Sequence, residues 1–132
     1  MREILFKGKH IDNGEWLEGD FQHFRLDDGE IVAYINSWGE FLHRVNPKTV
    51  GQYTGFTDIN DKKLFEGDIV RLLGECLEEP IVFFVWNERR AMFMCRNVKD
   101  EDCEFYVDGA DSFLLLGNIH DNPELLKGGN NE

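Results

Sequence analysis

Four carboxylates stand in two phrases of the same build, Glu18-Gly19-Asp20 and Glu66-Gly67-Asp68. Paired carboxylates can divide acid and base roles, or hold a divalent cation through oxygen ligands, if the two phrases face each other. A plainer use is also open. Glycine permits a bend or a close backbone approach, and an aspartate after it accepts nearby N–H groups and holds the bend. Spacing along the chain does nothing to bring the phrases together, so scaffolding is the favoured reading. A second group, Gln52-Tyr53-Thr54-Gly55 followed by Asp58–Asp61, offers amide, aromatic, hydroxyl and carboxylate groups that could converge on a ligand. The same residues serve turn geometry equally well, and that use is favoured.

The remaining chemistry-bearing residues form no recognised motif. His10, His23, His43 and His120 lack the short spacings of a metal site. There is no G-x-S-x-G elbow, Walker loop or G-x-G-x-x-G. Cys76, Cys95 and Cys103 cannot all pair within one chain, and no two stand as C-x-x-C. Cys76 and Cys95 lie among apolar residues that oppose a reactive thiolate. No cofactor, metal or catalytic residue is implied, and an enzyme is disfavoured. Two features suggest contact with a partner. Trp38, between polar and glycine residues, is either a plug over the core or an exposed interface anchor. Arg89 and Arg90, with Arg96, Trp86 and Phe93 nearby, form a basic–aromatic patch.

The elements that must position these groups read as strands. Asn-Gly and Asp-Gly steps at Asp12-Asn13-Gly14 and Asp27-Asp28-Gly29 predict two hairpins. They join strands over Ile4–Ile11, Trp16–Phe24 and Ile31–Ile35 into a meander. Pro47, Gly51, Gly55 and the Asp58–Asp61 cluster make Asn46–Asp61 an irregular stretch. One strand then enters at Leu64 and continues through Leu73. Ile81–Trp86 is an apolar run of strand length, expected to be covered on both faces. Ala91–Cys95, Glu104–Val107 and Phe113–Ile119 complete the strands, and Asp121–Leu126 reads as a capped helical turn. The expectation is an all-β fold of antiparallel meander and small SH3-like barrel elements, with a short C-terminal helical turn. It forms a single domain over 1–126, divisible into a meander (1–45) and a barrel-like part (46–126), with a flexible tail at 127–132. The repeated Glu-Gly-Asp phrase suggests two similar half-barrels.

Bulk properties limit the function classes. The 132 residues are 42% hydrophobic and 13% aromatic, enough for a folded core and unlike a disordered acidic chain. Fourteen basic against 26 acidic residues give a net charge of −12, which disfavours nucleic acid and anionic lipid as partners. The unpaired cysteines suit a reducing compartment. The N-terminal segment lacks a signal peptide's apolar stretch, and no run approaches the roughly 18 residues of a membrane span. A cytoplasmic location is expected.

Three blocks carry a resemblance. They are Arg2–Lys9 with Gly14–Asp20, then Val50–Asp58 with Lys63–Val70, and finally Gly117–Leu126. In this order the chain resembles the YopX family over almost its whole length, while Leu73–Asp111 carries little of the pattern. The resemblance implies a β-rich protein of bacteriophages and prophages, acting in the bacterial host, and supplies no activity or catalytic residues. The leading functional expectation is a non-enzymatic accessory protein that works through protein–protein contacts, as a homo-oligomer or with a host or phage protein. The alternatives are an acidic antagonist mimicking nucleic acid, a small-barrel nucleic-acid-binding module, and a metal-dependent enzyme using the carboxylate pairs.

Overall fold

The computed structural model describes residues 3–37, 41–74, 79–108 and 111–127. Among these there are eleven strands, all antiparallel in their pairing, and two short 3₁₀ turns, with no α-helix. The chain groups into two compact units, Met1–Tyr53 and Thr54–Glu132.

In the first unit, β1 (Phe6–Lys9), β2 (Trp16–Arg25), β3 (Ile31–Ser37) and β4 (Phe41–Val45) follow one another as a meander. The two tight turns come from the expected chemistry: Gly14 and Gly29 both have positive φ, and Asn13 and Asp28 each accept a backbone N–H two residues on. Ala33, Ile35 and Val45 are fully buried, with Phe6, Leu17, Phe21 and Val50 packed on them. The end of β1 reaches β4. His10 bridges to Val45, Ile11 N–H donates to Arg44 O, and Asn46 N–H donates to Lys9 O. This contact is short. The meander matches the expectation for 1–45, whereas the barrel expected over 46–126 is not closed.

The second unit holds a five-stranded sheet in the order β10-β9-β8-β7-β11. Its strands are β7 (Asp68–Leu73), β8 (Ile81–Asn87), β9 (Met92–Asn97), β10 (Asp100–Phe105) and β11 (Ser112–Asn118). Leu64, Val70, Val82, Phe84, Cys95 and Phe113 form its core. The rings of Phe56, Phe84 and Phe113 meet at centroid distances of 5.5–6.1 Å, and each such pair adds about 1 kcal/mol beyond its buried area. The expected C-terminal helical turn is the 3₁₀ turn Pro123–Lys127.

Several expectations need correction. Asn46–Asp61 is not irregular: after a 3₁₀ turn at Pro47–Thr49, residues Gly51–Thr57 form β5, whose first residues pair with β1. The density of Pro and Gly hid a strand in which Gly55, at φ 94°, is one locally distorted position. β4 escaped notice because its apolar Leu42 points outward, so the segment shows no alternation to read. The single strand expected from Leu64 is two, β6 (Lys63–Phe65) and β7, split at Glu66-Gly67. Ile81–Trp86 is covered only in part, since Val82 and Phe84 are buried while Trp86 is exposed.

The repeated phrase is also resolved. Glu66-Gly67-Asp68 is a bend: Gly67 has φ 92°, and the buried Asp68 Oδ2 accepts Phe65 N–H at 2.8 Å. Glu18-Gly19-Asp20 lies inside β2 and does not turn. There glycine serves close approach, because a Cβ on Gly19 would stand 2.1 Å from Asn36 O on β3. One sequence phrase meets two different backbone needs, and the inference of two similar half-barrels falls.

Gly19→Ala should therefore cost about 3 kcal/mol in urea unfolding, since a backbone carbonyl must move. Asp20→Ala beside it, on an exposed position, should change stability by under about 0.5 kcal/mol. Equal stability of the two variants would contradict the close-approach account.

Candidate functional site

The two carboxylate pairs fall in different units and meet different local needs. Glu18 and Asp20 are exposed on β2, opposite Lys7 and Asn36 in register. Asp68 is buried, with its carboxylate engaged on the Phe65 backbone. Among the described residues, no three His, Cys, Asp or Glu side chains are grouped so as to hold a metal ion. Cys95 is fully buried, and burial, with the nearby Asp111 charge, pushes its thiol up to about 12, so it stays protonated at neutral pH.

Gln52 and Tyr53 lie on β5 in the first unit, where Gln52 pairs with Phe6 and Tyr53 N–H donates to Leu5 O. Thr54, in the second unit, spends its hydroxyl on backbone, donating to Leu64 O at 2.8 Å and accepting from Phe56 N–H at 3.1 Å. These three are strand residues and not an open ligand loop. Trp38 and Cys76 fall outside the described residues.

Arg89 and Arg90 stand at the β8–β9 turn, and here the structure does gather side chains. Ala91 takes a positive φ of 54°, and Asn87 Oδ1 accepts Arg90 N–H at 3.0 Å, which fixes the turn. The Arg90 guanidinium donates to Tyr106 Oη and lies 5.3 Å from the Tyr106 ring centre. Trp86 and Phe93 face each other across β8 and β9, edge to face at 5.0 Å. On the face of the sheet opposite Trp86 and Phe93, Glu104 on β10 ties three strands together. It accepts from Arg96 Nε at 3.1 Å and from Asn87 Nδ2 at 2.9 Å. The Arg96 hydrogen bond, then that of Asn87, holds the Glu104 carboxyl below its ordinary value. Trp86 is 43% exposed on the face of the sheet that also carries Phe93, whereas Tyr106 is exposed on the opposite face, and Arg89 and Arg90 are exposed at the turn between them. Glu104 and Tyr106 were not foreseen as parts of this surface, because only strand pairing brings β10 to the turn.

Asp58 is the other polar centre, and it is 5% exposed. Its Oδ1 accepts Asn60 and Lys62 N–H at 2.8 and 3.0 Å, and its Oδ2 accepts Leu115 N–H at 3.1 Å. Ile59 N–H then donates to Phe113 O. The Asp58–Ile59 corner thus satisfies outward-facing groups of β11. Burial by itself would raise the Asp58 pKa, but the N–H donors of Lys62, Leu115 and Asn60, with the Lys62 charge, outweigh it and hold the carboxyl below 3.8. The string Thr-Asp-Ile-Asn-Asp is a visible turn signal, whereas its contact with β11 is long-range.

A protein of two antiparallel units, with aromatic and arginine side chains exposed around the β8–β9 turn and neither an α-helix nor a metal-ligand cluster among its described residues, is the class that fold and site define. The chain belongs to the YopX family, whose model, described as YopX protein, matches residues 5–127. No activity is attached to that family. The crystal structure of protein EF1440 from Enterococcus faecalis is similar at 22% identity and a TM-score of 0.53, over 96% of this chain and 99% of that one, a likeness that concerns the fold alone. No curated protein matches the chain. Among the described residues, no helix is long and apolar enough to cross a membrane.

Because the Asp58 pKa is depressed by folding, its stabilisation is present above the unfolded value and disappears as pH falls through the folded one. Asp58→Asn should lose roughly 2–3 kcal/mol in urea unfolding at neutral pH, where an amide meets N–H donors. The deficit should shrink below the ordinary carboxylate value of 3.8. A deficit that persists unchanged in acid would assign the acid sensitivity to other groups.

Proposed function

We propose that this chain is a non-catalytic accessory protein of phage or prophage origin that works in the host cytoplasm by binding another protein through the Trp86–Arg90 surface. The observation that carries this reading is a partly exposed Trp86, edge to face with Phe93, at the same turn whose Arg90 is held on Tyr106 on the other face of the sheet. Trp, Tyr and Arg are the residues that most often dominate binding energy. Rigid rings, and the Asn87–Glu104–Arg96 bonds that tie the three strands behind the turn, keep the entropy cost of ordering low. The partner chemistry that fits is an apolar socket for Trp86 with carboxylates at its rim for Arg89 and Arg90.

The surface suits nucleic acid poorly. Arg96 is neutralised by Glu104, and the whole chain carries a charge of −12. A second reading, an acidic antagonist that fills a basic groove, draws support from the same net charge and from Asp100 and Asp102 on β10.

A pull-down from host lysate separates the two. Under the first reading, a partner retained by the native chain should be lost with Trp86→Ala and with Arg90→Ala, and should survive moderate salt. Capture that ignores both substitutions and collapses with salt would favour the acidic antagonist.

A further inference from the structure

The hairpin of β2 and β3 extends past its neighbours. β1 pairs with β2 only as far as Gly19, and β4 pairs with β3 only from Ala33 onward, whereas the β2–β3 ladder continues to Arg25 opposite Ile31. The distal part is a two-stranded ribbon, an arrangement that is marginal in water when left bare. It nevertheless displays Phe24 at 51%, Leu26 at 43% and Ile31 at 40% exposure. Among the described residues, no backbone hydrogen bond outside its own ladder reaches Phe21–Arg25.

Three other sheet edges are guarded. The outer side of β11 is occupied by Asp58 and Ile59, and that of β4 by Lys9–Ile11. β10 carries Asp100, Asp102 and Glu104, which would meet like charges if two copies paired there. The ribbon edge reads Phe21-Gln22-His23-Phe24-Arg25 and holds no carboxylate, in a chain with 26 acidic residues. A second copy of an acidic protein is repelled at most approaches and can be admitted here.

We propose that the β2–β3 arm is a self-association element. Two copies pair their β2 edges antiparallel about His23, extending the sheet across a two-fold axis and placing Phe24 in the seam. Phe21 of one copy then lies opposite Arg25 of the other, and Gln22 opposite Phe24, with no like charges in register.

Sedimentation of the full chain across a range of concentrations tests this. The native protein should show a dimer or a multiple of it. Phe24→Glu should shift it to monomer with an unchanged circular dichroism spectrum, while Leu42→Glu, an exposed apolar position away from the ribbon, should leave it associated. A native chain that stays monomeric throughout, or a Phe24→Glu variant as associated as the native protein, would overturn the proposal. Should the glutamate variants fail to fold, His23→Cys in a Cys103→Ser background provides the decision. A short bismaleimide should join two chains at position 23, and failure to do so would reject the arrangement.

Discussion

A protein made of sheets must dispose of the hydrogen-bonding groups along their outer strands, and in the second unit that requirement converges on Asp58. A carboxylate is unusual in a nearly closed environment, because desolvation disfavours its charge. Three backbone N–H donors make the position tolerable, and two come from its own turn while the third belongs to Leu115 on β11. With Ile59 bonded to Phe113, the corner holds in place the strand that carries Phe113 into the aromatic core. Turn, strand edge and core therefore depend on one side chain being ionised.

The same demand is met elsewhere by other means. At β10 it is met by charge, which makes addition of another strand unfavourable. At β4 the chain's own β1 end comes across. Among the described residues, the Phe21–Arg25 edge of the β2–β3 ribbon has neither a covering segment nor acidic side chains, unlike β4, β10 and β11, and this contrast gives it significance beyond the exposure of single residues. An exposed Leu or Ile alone would carry no meaning, since folded surfaces are largely apolar by area.

The aromatic–arginine surface at the β8–β9 turn and the acidic bulk of the molecule pull toward different partners. A net charge acts over a Debye length of roughly 10 Å and is weakened by salt, while a ring set into a socket acts at contact. Under the proposed reading the two influences coexist, with charge screening out polyanions at a distance and the β8–β9 turn discriminating among proteins that come close.

The hairpins at Gly14 and Gly29, the all-β class, the aromatic core and the terminal 3₁₀ turn were legible from residue types, because positive φ, alternation and proline placement are local properties. So was the membership in the YopX family, whose blocks stand in order along the chain. What the residues could not disclose was anything that depends on which strands become neighbours. Gly19 and Gly67 sit in identical tripeptides, yet one faces a carbonyl from β3 and the other turns a corner. Glu104 and Tyr106 join the β8–β9 surface only because β10 pairs with β9, and Asp58 finds Leu115 across 57 residues. Local conformational preference is written residue by residue, whereas strand pairing is chosen by the free energy of the whole chain, and only tertiary structure records that choice.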